Sequence, residues 1–188
     1  MKNIVLFASG AGSNVQAILH YFQDKNAVNP VAIVCNNKEA VVLKIAASNN
    51  IPVELIDREH FKSDDFLTIL KQYKPDLLVL AGFLWKIPEA VVQSFPDKII
   101  NIHPALLPKY GGKGMYGAKV HEAVITNSEK ESGITIHYVN ENYDEGNVIV
   151  QAHCRVQEQD TADSLAQRIH GLEHFYFPRV IEFLIGEG

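Results

Sequence analysis

Asn101 and His103 stand two positions apart at the end of an apolar run that also holds Ile99, Ile100 and Ile102, and Pro104 follows immediately. Residues two apart in a strand share a face. A proline stops such a run because it has no N–H for the ladder. The sequence therefore sets a carboxamide and an imidazole side by side at a strand terminus. Asp144-Glu145-Gly146, further along, brings a carboxylate. An imidazole can give a proton, a carboxamide can hydrogen-bond a developing oxyanion, and a carboxylate can tune the imidazole. That set suits acyl or formyl transfer better than phosphoryl, hydride or metal chemistry. The plain alternatives are a capped strand end with a satisfied histidine, and a hairpin turn at Asp144-Glu145-Gly146. Position favours chemistry for the Asn–His pair, because open α/β sheets bind ligands at the carboxyl ends of their strands.

A second candidate is Ser9-Gly10-Ala11-Gly12-Ser13-Asn14, between the first apolar run and the first helical pattern. Glycines allow a tight turn there, and a helix N-terminus offers unpaired N–H groups to a phosphate. The segment lacks the GK[ST] of a P-loop, and Val15 stands where a full G-x-G-x-x-G needs its last glycine. A βα turn capped by Ser13 or Asn14 is the alternative. The stretch from Pro104 to Tyr116, with Gly111, Gly112, Gly114, Lys109 and Lys113, reads as a mobile lid or a long connection. His170 and His174 have a spacing that can hold a metal on a helix, but no third ligand is evident, so no metal is expected.

The elements that must position these residues follow from periodicity. Strands are expected at Ile4–Ala8, Pro30–Cys35, Val53–Ile56, Leu77–Ala81 and Lys98–His103. Helices are expected at Asn14–Asp24, at Ala40–Ser48, from an N-cap at Ser63 through Gln72, and near Pro88. Repeated βα units imply a parallel sheet with right-handed crossovers. The runs Ile134–Val139 and Val148–Val156 have no helix between them, so they are expected to pair antiparallel. Thr161 opens a final helix, with a kink or break expected at Pro178. The fold class is thus α/β: a Rossmann-like, mainly parallel sheet with helices on both faces and an antiparallel C-terminal strand pair. It forms a single domain over residues 1–188.

A length of 188 residues suits one domain with a sizeable core, and the net charge of −5 disfavours a nucleic-acid partner. Two cysteines, Cys35 and Cys154, form no disulfide framework. No apolar stretch approaches the ~20 residues of a membrane span. The short apolar N-terminus meets Ser9 and Gly10 too soon for a signal peptide, so a cytoplasmic protein is expected.

Phe7-Ala8-Ser9-Gly10-Ala11-Gly12-Ser13-Asn14, Leu80-Ala81-Gly82-Phe83, Asn101-Ile102-His103-Pro104-Ala105-Leu106-Leu107-Pro108 and Asp144-Glu145-Gly146 together make a specific pattern. From about Lys2 to about Phe183 the chain resembles the folate-dependent formyltransferases, and among them the phosphoribosylglycinamide formyltransferases. The resemblance implies 10-formyltetrahydrofolate as co-substrate, phosphoribosylglycinamide as the other small-molecule substrate, and a place in purine biosynthesis. It implies His103 as proton donor, Asn101 near the formyl oxygen, and Asp144 as the carboxylate that raises the His103 pKa and keeps the ring cationic near neutrality. It also implies Gly12, Ser13 and Asn14 at the ribonucleotide phosphate and Glu173 near the substrate amine. Leu84, Trp85, Lys86 and Ile87, with Asn101, would line the folate pocket. One departure stands out: typical members carry Met-Arg after the Gly-Phe, whereas this chain has Leu84-Trp85-Lys86. The family's basic residue at the start of the third helix has Lys62 as its nearest candidate. Formyl transfer to methionyl-tRNA or to an amino-sugar nucleotide uses similar residues, but the tRNA enzymes carry a further domain and formyl-folate hydrolases a regulatory one. A Rossmann-like nucleotide binder without chemistry would leave Asn101, His103 and Asp144 unexplained.

Overall fold

The structure, a computed structural model, describes residues 1–186. Its strands are β1 (Lys2–Ala8), β2 (Val28–Cys35), β3 (Val53–Leu55), β4 (Leu77–Leu80), β5 (Ile99–His103), β6 (Glu131–Tyr138) and β7 (Val148–Arg155). The α-helices are α1 (Ser13–Phe22), α2 (Val42–Ser48), α3 (Asp64–Gln72), α4 (Glu89–Ser94), α5 (Ala118–Thr126) and α6 (Ala162–Gly186), with a 3₁₀ turn at His60–Lys62. The strands form one sheet in the order β3-β2-β1-β4-β5-β6-β7. The first five run parallel, and β6 is antiparallel to both β5 and β7.

Alternation along β1 explains the layering. Ile4, Leu6 and Ala8 pack with Val15 and Ile18 of α1, Val42 of α2, and Leu165, Ile169 and Phe177 of α6. Val5 and Phe7 face the other way, onto Phe66 and Leu70 of α3 and Val91 of α4. Both faces are therefore covered, which is why the parallel strands read as continuous apolar runs.

Local chemistry fixes the helix starts. Ser63 Oγ accepts from Phe66 N at 3.2 Å and caps α3 as expected. Thr161 and Ser164 bond reciprocally at the start of α6, Thr161 N to Ser164 Oγ at 3.0 Å and Ser164 N to Thr161 Oγ1 at 3.1 Å. Three features depart from expectation. The helix α5 begins just past the glycine-rich stretch, where no helix was anticipated; it buries Val120, His121 and Val124. The antiparallel region starts at β5–β6 rather than at β6–β7 alone. Pro178 lies inside α6 without breaking it. An interior proline costs about 3 kcal/mol, and the buried Phe177, Pro178, Val180 and Ile181 hold the segment helical against that cost.

The β6–β7 pair leaves no room at Gly133. A Cβ there would meet the Ala152 carbonyl oxygen at 2.1 Å and Leu106 Cδ2 at 2.6 Å. Gly133→Ala should therefore destabilise the protein by about 1–3 kcal/mol, as strands part to admit the methyl group. Thermal unfolding would register this as a lowered Tm, and an unchanged Tm would show that the ladder relaxes freely.

Candidate active site

The strand β5 delivers Asn101 and His103 to the carboxyl edge of the parallel sheet, on one face as their spacing requires. Across the antiparallel junction, Asn101 lies opposite His137 and His103 opposite Thr135. The β6–β7 loop then brings Asp144 back over them, with a φ of 55° that an aspartate tolerates better than most residues. Asn101, His103 and Asp144 come together as expected, and His137 joins them.

Asp144 is the hub. Its Oδ2 accepts from Gly112 N at 2.9 Å and lies 3.6 Å from His103 Nδ1. Its Oδ1 lies 3.5 Å from Asn101 Nδ2 and 3.7 Å from His137 Nε2. Only the Gly112 contact is a short hydrogen bond; the rest act through charge and dipole. Burial pushes the Asp144 carboxyl up, but the nearby His137 and His103 rings and the Gly112 amide outweigh it, so its pKa is lowered.

Backbone carbonyls assign the imidazole protons, since a carbonyl only accepts. His103 Nε2 lies 2.7 Å from the Tyr110 oxygen and donates to it, which leaves Nδ1 facing Asp144. A second proton on His103 therefore sits on the carboxylate side. His137 Nδ1 donates to its neighbour's carbonyl, Tyr138 O, at 2.8 Å, and Nε2 accepts from Asn101 Nδ2 at 3.1 Å. The His103 ring is only 4% exposed. Burial lowers its pKa and outweighs the pull of Asp144 and of the Tyr110 carbonyl, both of which raise it. Asp144 thus acts in the expected direction, yet the net shift is downward.

The glycine-rich stretch takes part directly. Tyr110 supplies the carbonyl for His103, and Gly112 the amide for Asp144, while Tyr110 Oη donates to Glu129 at 2.9 Å and Lys109 pairs with Glu129 at 3.0 Å. It is a connection tied at both ends of the site.

Beside Asp144 opens a shallow groove walled by Trp85, Lys86, Ile87, Asn101, His137 and Tyr143. Trp85, Lys86, Ile87 and Asn101, which the resemblance implies at the folate, all line this groove. Leu84 and Lys62 are not among the residues that wall it. Leu84 is 46% exposed, with its amide hydrogen-bonded to Ser9 Oγ, and Lys62 is an exposed residue of the 3₁₀ turn.

On the other side lies the loop before α1. Gly12 caps the helix with a φ of 73° and no side-chain hydrogen bond, so the first amides of α1 have no side-chain cap. A Cβ on Gly12 would meet Val42 Cγ2 at 2.7 Å, so this glycine serves helix packing as well as any ligand. Asn14 does not point freely outward. Its Nδ2 donates to Glu173 Oε2 at 3.0 Å, and the same oxygen takes His170 Nδ1 at 2.9 Å. Two residues assigned to the ribonucleotide from separate motifs are thus bonded to one another. Glu173 is 4% exposed, and its hydrogen bond raises the His170 pKa. His121, on α5, is 3% exposed with Nδ1 unpartnered, and burial lowers its pKa. Sequence reasoning missed His137 and His121. The β5–β6 register would have found the first, and the Val120/Val124 spacing the helix that carries the second.

Residues 2–181 match the family model described as formyl transferase. The chain is 42% identical to a chloroplastic phosphoribosylglycinamide formyltransferase of Arabidopsis thaliana, over 96% of this chain and 64% of that protein. It thus spans just under two thirds of that relative's length. The phosphoribosylglycinamide formyltransferase of Bacillus subtilis is 34% identical over 99% of this chain and 96% of its own. Among solved structures, that of the Coxiella burnetii phosphoribosylglycinamide formyltransferase superposes with a TM-score of 0.88 at 38% identity, covering 99% of this chain and 88% of that one. With the matched fold, the Asn101–His103–Asp144 cluster and near-complete coverage in agreement, the chain belongs to the formyl transferase family.

Proposed function

We propose that the chain transfers the formyl group of 10-formyltetrahydrofolate to the amine of phosphoribosylglycinamide, as its named relatives imply, in purine biosynthesis. The observation that carries this reading is the convergence of Asn101, His103 and Asp144 between an aromatic-walled groove and a helix N-terminus free of side-chain caps. The groove suits a flat pterin, and the helix end suits a phosphate. Residues 1–188 act as one catalytic unit on this reading. The acidic net charge of −5 argues against nucleic acid as a partner. The free thiols of Cys35 and Cys154 suit a reducing, cytoplasmic setting. No described helix is long and apolar enough to cross a membrane.

In the reaction the amine nitrogen attacks the formyl carbon, the carbonyl electrons move to oxygen, and the C–N bond to the folate nitrogen then breaks. The amine gives up one proton and the folate nitrogen gains one. Asn101 and a protonated His103 would stabilise the oxyanion, and the phosphate anchor would orient the amine. The His103–Asp144 pair is the proton route: with Nε2 engaged by Tyr110, the labile proton belongs on Nδ1 beside the carboxylate. Glu173 and Asn14 together offer acceptors to the ribonucleotide, since Asn14 Oδ1 is buried without a partner.

Mixing the protein with both substrates should release tetrahydrofolate. His103→Ala should cut kcat by ~10²–10³ while leaving both substrates bound, a loss typical of removing a positioned donor. Near-normal turnover in that variant would remove His103 from the mechanism. The pH dependence carries a sign of its own. Asp144 favours the imidazolium, so Asp144→Asn should lower the His103 pKa further below its ordinary value and shift the acid-catalysed limb of the rate profile to lower pH. NMR titration of the ring in both proteins reads this directly, and an unchanged or raised pKa in the variant would assign Asp144 another role.

A further inference from the structure

His103 is held by the chain that follows it. The Tyr110 carbonyl returns to accept from His103 Nε2 at 2.7 Å, and the Gly112 amide donates to Asp144 Oδ2 at 2.9 Å. One short segment therefore sets a contact on each member of the His103–Asp144 pair. The return places Tyr110 at a φ of 56°, in the left-handed region that a bulky side chain rarely adopts. Such a conformation persists only where its surroundings hold it. The inner side of the turn is fastened from β6 and β7. Thr135 Oγ1 donates to Ala105 O at 2.7 Å and accepts from Leu107 N at 3.0 Å, and Gln151 Nε2 donates to Leu107 O at 3.0 Å. The outer end is fastened by Glu129, in the turn after α5, whose amide donates to Val124 O at 3.2 Å. Its carboxylate accepts from Tyr110 Oη at 2.9 Å and takes Lys109 Nζ at 3.0 Å and 3.3 Å. Asn127 Nδ2 donates to the same Tyr110 hydroxyl at 2.9 Å.

We infer that Glu129 is a positioning residue for the proposed reaction: by fixing Lys109 and Tyr110 it keeps the Tyr110 carbonyl on His103 Nε2 and the Gly112 amide on Asp144. This rests on the reading of His103 as the proton-bearing group. A neutral imidazole has one N–H, and here a carbonyl and a carboxylate, which only accept, compete for it. With the carbonyl in place the proton stays on Nε2, and a bare Nδ1 faces Asp144. The next proton then enters between the ring and the carboxylate. Without the carbonyl, the single N–H turns to the carboxylate, the stronger acceptor, and Nε2 is left bare. One of the influences that raise the His103 pKa is lost at the same time. Glu129 acts through the backbone of another residue and has no part in the bond-making steps.

Glu129→Ala and Tyr110→Phe each cut the outer fastening and leave Asn101, His103 and Asp144 in place. Tyr110→Phe also keeps the ring that packs against the core. Nitrogen NMR of the His103 ring in the full-length protein reads its tautomer and follows its titration. The unmodified protein should show the Nε2–H tautomer. Both variants should shift it toward Nδ1–H and lower the His103 pKa. Their kcat should fall about tenfold, short of the ~10² that a misplacement of ~1 Å costs, with KM for both substrates within about twofold. Glu129→Gln, which still accepts from the Tyr110 hydroxyl, should restore most of the rate. The other titratable groups that act on the ring, Asp144, His137, Glu173 and His121, are untouched by these substitutions. An unchanged tautomer in both variants, whether or not rate or Tm falls, would overturn the inference and leave Glu129 a structural anchor. A shifted tautomer at full activity would overturn the proton-bearing role of His103, and the inference with it.

Discussion

A carboxylate partly withdrawn from water has to be compensated, and the site is organised around that requirement at Asp144. Removing a charge from water costs several kcal/mol unless partners replace the solvent. Here those partners come from three separate parts of the chain: Gly112 from the glycine-rich connection, Asn101 and His103 from β5, and His137 from β6. Two of them are distant from Asp144 in sequence, and only β6 leads into its loop. The lowered pKa of the carboxyl shows that together they more than offset its burial. The same contacts hold Asn101 and His103, so on the proposed mechanism satisfying the charge and arranging the chemistry are one structural event. The linkage has a direction. Asp144 and His103 both have folded-state pKa values below their ordinary ones, so the stability they contribute is present above the ordinary values and is lost as pH falls.

The sheet makes this arrangement possible through its change of direction. Four parallel neighbours bring β5 to a ligand-binding edge, and the antiparallel β6 then places His137 directly opposite Asn101. A parallel β6 would have needed a crossover, and the short return that drops Asp144 onto the strand end would be lost. The α1 and α6 helices supply the other half of the site through the Asn14–Glu173–His170 chain, which joins the loop at the sheet edge to the long C-terminal helix.

Much of this was legible in the residues because local periodicity governs it. Asn101 and His103 were readable as same-face neighbours at a strand end, and the parallel strands were readable from their unbroken apolar runs. Asp144 carries no local signal beyond that of a turn, and its place beside Asn101 and His103 rests on chemical fit and on the resemblance. His137 was illegible because its significance is a cross-strand register, which no single segment records. The α5 helix was hidden by the glycines before it, and its His121 with it. Leu84 and Lys62 follow from motif position alone, whereas side-chain direction decides which residues reach the groove. Pro178 was read by its intrinsic cost, and tertiary burial of its neighbours overrode that cost.

The central claim is that Asp144 acts through His103 and not beside it. A double-mutant cycle on single-turnover rates tests this most directly, using His103→Ala, Asp144→Ala and the double variant. The account predicts strong non-additivity, with the double variant no slower than His103→Ala alone. Rate losses that multiply, so that the double variant shows the product of the two single effects, would contradict it and make the carboxylate and the imidazole independent contributors.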